Sequence, residues 1–169
     1  NITISDYTSA GPCLDGDLNI FKPEISAPGT TINSAYPGNK YVDYQGTSMA
    51  TPVVSGSVAL LRQMHPDWTP FDIKAVIMNT SNILYNNLAS EVFSYFYQGA
   101  GQINTLSAIQ SPLIATPPSI MRSTEDLEKS MKITIRNVSN KNVSFSLSSE
   151  IFNLDKTEKT PIDIEINMR

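Results

Sequence analysis

The sequence predicts an α/β fold with an incomplete β-module behind it, and three observations carry that expectation. The glycine-led turn Gly46-Thr47-Ser48-Met49-Ala50-Thr51-Pro52 opens into the apolar and small-residue run Val53 to Met64, which has the length and composition of a helix. Short β-leaning pieces punctuated by Gly and Pro come before that turn. Beyond Thr116-Pro117-Pro118 the apolar residues recur with a period of two.

Taken in order, residues 1–45 read as short strands and turns, broken at Gly11-Pro12, Pro28-Gly29 and Pro37-Gly38. Ile25-Ser26-Ala27 and Thr30-Thr31-Ile32 are short β-leaning pieces, and Tyr41-Val42-Asp43-Tyr44 leads into the Ser48 turn. From Val53 to Met64, apolar and small residues cover nearly the whole circumference, which predicts a helix buried on most sides. Pro66 disfavours the helical conformation of His65, so the helix should stop there. A second helix is expected from Thr69-Pro70-Phe71-Asp72, with Thr69 as N-cap, Pro70 in the first helical position and Asp72 in the first turn. Ile73, Val76 and Ile77 supply its buried stripe, and Trp68 reads as a core or staple residue. An Asn-rich loop from Asn79 to Asn87 follows, and a short helix is expected over Thr105 to Ile109.

At Ser111-Pro112 and Thr116-Pro117-Pro118 the helix signals stop, which predicts a linker. Met131, Ile133 and Ile135, then Val143, Phe145 and Leu147, alternate with polar residues around Ser139-Asn140-Lys141-Asn142, which predicts a half-buried hairpin. Ile162, Ile164 and Ile166 suggest another strand. A full sandwich takes about 100 residues, so residues 112–169 are expected to be only its first part. The chain does not begin with Met and ends within an alternating pattern, so it is expected to be a piece of a longer polypeptide.

The chemistry centres on Ser48. A helix mouth gathers unpaired N–H groups and the positive end of the dipole, a favourable seat for a nucleophile that develops negative charge. Pro52 cannot donate back to the Ser48 carbonyl and should bend the first turn. The competing reading is structural: a serine at a helix start is more often an N-cap whose hydroxyl accepts a backbone N–H. His65, the single histidine, does not serve as base for Ser48. Seventeen residues of helix at about 1.5 Å each set them roughly 25 Å apart. His65 fits better as a charge at the helix C-terminus.

Composition narrows the classes. A net charge of −4 without a basic face argues against nucleic acid and anionic membrane. Ser55, Gly56, Ser57, Arg62 and Gln63 interrupt the longest apolar run, so no membrane-spanning segment is expected. The single Cys13 excludes an internal disulfide framework. No metal is assigned, because Asp15 and Asp17 lack the oxygen-ligand spacing of a calcium loop. Asn137-Val138-Ser139 and Asn142-Val143-Ser144 fit the glycosylation sequon and imply at most a surface position.

The Ser48 segment, with Val53-Val54-Ser55-Gly56-Ser57-Val58-Ala59-Leu60-Leu61 behind it, closely resembles the nucleophile segment of subtilisin-like serine proteases. Four further stretches resemble that family in the same order: Ser9-Ala10-Gly11-Pro12, Lys22-Pro23-Glu24-Ile25-Ser26-Ala27-Pro28-Gly29, His65-Pro66-Asp67-Trp68-Thr69 and Gly99-Ala100-Gly101-Gln102-Ile103-Asn104. The resemblance covers residues 9 to about 109. It implies the C-terminal part of a subtilisin-like parallel-sheet domain over residues 1–111. Residues 112–169 would then begin a fibronectin-III-like β-sandwich, as in the larger cell-envelope or minor-extracellular-protease types.

By the same resemblance, Ser48 is the nucleophile and its own N–H an oxyanion donor, with Thr47 as a supporting hydroxyl. Tyr44 and Gln45 stand at substrate-contacting positions, and Met49 walls the leaving-group side. The family's catalytic Asp, His and oxyanion Asn motifs precede the nucleophile and match nothing here. Val53 stands where many relatives have a histidine that is not the catalytic base. The implied activity is a serine endopeptidase, extracellular or at the cell surface, acting on protein or peptide substrates, with this chain a fragment inactive by itself. No cofactor is implied in this segment, though relatives often carry calcium elsewhere. The alternative is a pseudoprotease or adhesion scaffold in which Ser48 is a relic.

Overall fold

The computed structural model of the chain describes residues 3–15, 18–86, 91–121 and 131–148. Two antiparallel ribbons come first, β1 (Cys13–Asp15) with β2 (Leu18–Ile20) and β3 (Ile32–Tyr36) with β4 (Lys40–Tyr44). The long helix α1 (Thr47–Met64) and the shorter α2 (Pro70–Asn79) follow. The ribbon β5 (Tyr85–Asn86) with β6 (Glu91–Val92) leads into α3 (Tyr95–Gln98) and α4 (Thr105–Gln110). The last ribbon pairs β7 (Leu113–Thr116) with β8 (Thr134–Asn137).

Helix α2 forms where and as the sequence predicts. The Thr69 hydroxyl accepts the Asp72 N–H at 3.1 Å, and the Asp72 carboxylate accepts the Thr69 N–H at 2.9 Å, a reciprocal capping box with Pro70 opening the helix. Ile73, Val76 and Ile77 are buried on its inner face. They pack with Leu61 of α1, Ala108 of α4 and Ile114 of β7 into one core, and Ile25, Val58, Trp68, Ile103, Ile109 and Val138 flank it.

Helix α1 ends at Met64 with His65 as its C-cap, as Pro66 requires. His65 stacks on Trp68, with ring centroids 3.8 Å apart, and its Nε2 bonds the Ile109 carbonyl at 3.2 Å. One expectation for α1 fails: the helix runs from Thr47 through Pro52 to Met64, and only Ser57 and Leu61 are buried along it. Among the described elements α1 packs against α4 and α2, and its Leu60 and Met64 stay exposed.

The sheet also departs from expectation. Every described ribbon is two-stranded and antiparallel, and the one parallel contact among the described residues is an isolated bridge from Ser26 to Gln102. Ile25-Ser26-Ala27 is therefore a bridge and not a strand, and Thr30-Thr31 is a bend before β3. A parallel neighbour needs a crossover of a dozen or more residues, and the described elements supply only this short contact.

The expected linker at 111–118 is instead occupied by β7, whose Ile114 is fully buried against α2. The expected hairpin from Met131 to Leu147 is not formed. Strand β8 pairs with β7, Ala115 opposite Ile135, and residues 142–148 carry no strand. Alternation showed that a strand was present but could not name its partner, which the apolar face of α2 selects by burying β7. Ile162, Ile164 and Ile166, like Asp17 and Asn87, lie outside the described residues.

Arg136 of β8 reaches back to α2 and pairs with the Asp72 carboxylate. Burial pushes the Asp72 carboxyl up, but the Thr69 hydrogen bonds and Arg136 outweigh it and hold the group below its ordinary value. A depressed carboxyl contributes stability that is present above the unfolded value of about 4 and lost as pH falls through the lower folded value. Asp72→Ala should therefore lower stability at pH 7 by about 1–2 kcal/mol through loss of the capping box. The gap between variant and wild type should narrow as pH drops below about 4, measured by denaturant unfolding across that range.

Candidate active site

Helix α1 opens on Gly46, which is its N-cap and makes no side-chain cap. At φ 142 and ψ 165, Gly46 occupies a region open essentially to glycine alone. Thr47, Ser48 and Met49 are thus the first three helical residues. The Gly46 carbonyl takes the Met49 N–H at 3.0 Å and the Ala50 N–H at 3.3 Å. The Thr47 and Ser48 N–H groups find no acceptor among the described residues and stand at the positive end of an 18-residue helix.

The Ser48 side chain is exposed and makes no hydrogen bond with any described residue. That removes the capping alternative, because the cap position belongs to Gly46 and the Ser48 hydroxyl accepts no N–H. Pro52 supplies no N–H to the Ser48 carbonyl, and the Thr51 hydroxyl donates instead to the Thr47 carbonyl at 3.0 Å. The result is an exposed alcohol beside two unpaired amide donors, a geometry that can hold a nucleophile and the oxyanion it generates.

The other sequence-predicted residues gather at the same end of the helix. Tyr44 closes β4, Gln45 bridges to Gly46, and Met49 lies half-buried one residue beyond Ser48. Tyr44 is half exposed and tilts against Tyr36 of the paired strand, ring centroids 6.0 Å apart, and Lys40 sits 5.2 Å over the Tyr36 ring. Thr47 is exposed. His65 is at the far end of α1, so the structure keeps it away from Ser48. No group of three or more metal-ligating side chains occurs among the described residues.

The turn is seated on the Pro28-Gly29 segment. The Gly46 N–H donates to the Gly29 carbonyl at 2.8 Å. A Cβ at Gly29 would lie 2.7 Å from the Gly46 oxygen and 3.3 Å from the Ala50 Cβ, so only glycine lets the two backbones approach. The Gly29 carbonyl accepts a second bond, from the Tyr7 phenol at 3.1 Å, and Thr30 and Ser5 extend the network. No local sequence signal marks this bracing, since its partners lie 22 to 25 residues apart.

An exposed serine in the first turn of a long helix, seated on a glycine turn, is an arrangement compatible with a helix-borne nucleophile. The Subtilase family (peptidase S8) model matches residues 1–109, and the chain belongs to that family. It is 35% identical over 155 residues to the minor extracellular protease Vpr of Bacillus subtilis, covering 85% of this chain and 19% of that protein. It is 37% identical over 124 residues to the subtilisin-like protease SBT1.9 of Arabidopsis thaliana, covering 66% of this chain and 16% of that protein. It is 33% identical over 146 residues to a C5a peptidase of Streptococcus pyogenes, covering 82% of this chain and 12% of that protein. The chain thus spans about a fifth or less of the length of these relatives.

Gly46→Ala should strain the turn by about 1–3 kcal/mol, since alanine does not tolerate its φ of 142. Gly29→Ala should disrupt the same turn by collision. Thermal unfolding should show both variants less stable than Gly38→Ala, whose added Cβ meets nothing within 4 Å although its φ of 88 also carries strain.

Proposed function

We propose that the longer polypeptide containing this chain is a serine endopeptidase and that Ser48 is its nucleophile. The observation that carries this reading is the exposed, uncapped Ser48 hydroxyl beside its own unpaired N–H. The base and its orienting carboxylate come from other parts of the polypeptide, as the family's order of Asp, then His, then Ser implies. The chain alone is then inactive, because Ser48 without a base is an ordinary alcohol.

In the first half-reaction the histidine takes the Ser48 proton as Oγ bonds to the scissile carbonyl carbon. The carbonyl oxygen becomes an oxyanion held by the Ser48 N–H, with Thr47 as a supporting donor. Collapse breaks the C–N bond and the histidine returns the proton to the departing amine, leaving an ester on Ser48. Water, deprotonated by the same histidine, then releases the acid and restores the alcohol. Tyr44 and Gln45 contact the bound peptide, and Met49 walls the leaving-group side. Residues 112 onward begin a β-module docked on α2 through β7, and the protein works outside the cell or at its surface on protein or peptide substrates.

Ser48→Ala in the longer polypeptide should abolish peptide hydrolysis, on the order of a millionfold in turnover, while the thermal midpoint barely moves. Thr47→Ala should be milder, within about 3 kcal/mol of transition-state stabilisation. Turnover and thermal midpoint measured together separate loss of chemistry from loss of folding. Wild-type turnover in Ser48→Ala would overturn the assignment of Ser48 as nucleophile, whereas absence of turnover in the unaltered polypeptide would support the scaffold reading, in which Ser48 is a relic.

A further inference from the structure

The Gly29 carbonyl stands under the nucleophile turn and has two donors. One is the Gly46 N–H at 2.8 Å, and the other is the Tyr7 phenol at 3.1 Å. The Tyr7 oxygen lies 2.6 Å from the Thr30 hydroxyl, which in turn lies 2.9 Å from the Ser5 hydroxyl. Each hydroxyl has one proton to give. With the Tyr7 proton committed to the carbonyl, Thr30 donates to Tyr7 and Ser5 donates to Thr30. The result is a directed relay, Ser5 to Thr30 to Tyr7 to Gly29, ending on the oxygen that anchors Gly46. Hydrogen bonds aligned in this way polarise one another. The neighbouring Ser5 and Thr30 hydroxyls also hold the Tyr7 phenol below its ordinary value.

We propose that Tyr7 is a positioning residue for Ser48: oriented by Thr30 and Ser5, its phenol fixes the Gly29 carbonyl, and through the Gly46 N–H that carbonyl sets where α1 begins. The inference rests on the reading of Ser48 as nucleophile. Tyr7 acts through backbone, two residues of chain before the serine it places. Because Gly29 and Gly46 touch without room for a Cβ between them, a shift of Gly29 passes directly to the turn. Tyr7 and Thr30 are exposed and solvent competes for their bonds, so the effect on turnover is modest.

The test uses the longer polypeptide, with peptide turnover and the rate of Ser48 labelling by a fluorophosphonate as readouts. Tyr7→Phe, which removes one oxygen, should lower kcat and the labelling rate about three- to tenfold, with KM changed less than about twofold. Thr30→Val should lower kcat similarly, Thr30→Ser should keep wild-type turnover, and the double variant Tyr7→Phe/Thr30→Val should fall no further than the weaker single variant. The Thr30 pair carries the same comparison if Tyr7→Phe loses thermal stability. Unchanged kcat in both Tyr7→Phe and Thr30→Val overturns the proposal. A raised KM at unchanged kcat overturns it too, by making Tyr7 a direct substrate contact. Wild-type protein that is not labelled at Ser48 overturns the nucleophile reading itself, and this inference with it.

Discussion

One backbone hydrogen bond, from the Gly46 N–H to the Gly29 carbonyl at 2.8 Å, joins the strand-and-turn half of the chain to the start of α1. It forms only because two glycines meet: Gly46 adopts a φ of 142, and Gly29 has no Cβ to collide with it. With Gly46 held in the cap position, the first helical residues fall at Thr47 and Ser48, and the serine has no capping duty. The exposed alcohol and the free amides beside it are consequences of that backbone contact. The Tyr7 phenol donates to the same carbonyl and reinforces it.

The segment that carries Gly29 is itself anchored by the closing turn at residues 99–104. The Ser26 N–H donates to the Gly101 carbonyl, the Ile103 N–H to the Ser26 carbonyl, and the Ala100 N–H to the Glu24 carbonyl. The Ser26 hydroxyl adds a bond to the Gln98 carbonyl at 2.8 Å. Immediately beyond, Thr105 bonds Ser57 of α1 at 2.7 Å, so the same stretch grips that helix directly. Gln98, fully buried, bonds the Leu84 N–H at 2.7 Å and the Leu84 carbonyl at 3.3 Å, fixing the preceding loop. Segments far apart in sequence thus converge on the backbone that seats the start of α1.

Local signals were legible in the sequence and long-range ones were not. Thr69, Pro70 and Asp72 announced α2 because a capping box is built within four consecutive residues. Pro66 announced the end of α1 for the same reason, and the Ser48 turn was visible through its glycine and proline. The pairing of β8 was misread, because alternation at Ile133 and Ile135 shows a face without naming the partner strand. The burial of α1 was overestimated because composition records what a surface favours, not which elements cover it. The short helix α3 was missed, although Ser94 accepts the Phe96 N–H at 3.3 Å and is a modest local cap. The bracing of Gly29 by Tyr7 had no sequence signal at all, since it depends on chain segments brought together only by folding.

The central claim is that the Ser48 hydroxyl and the Ser48 N–H act together, one as nucleophile and the other as oxyanion donor. The most direct measurement is a crystal structure of the longer polypeptide after reaction with a fluorophosphonate, a mimic of the tetrahedral intermediate. The account predicts a covalent bond from Ser48 Oγ to phosphorus, with a phosphonyl oxygen about 3 Å from the Ser48 nitrogen. An adduct on another residue, or an unmodified Ser48, would contradict it.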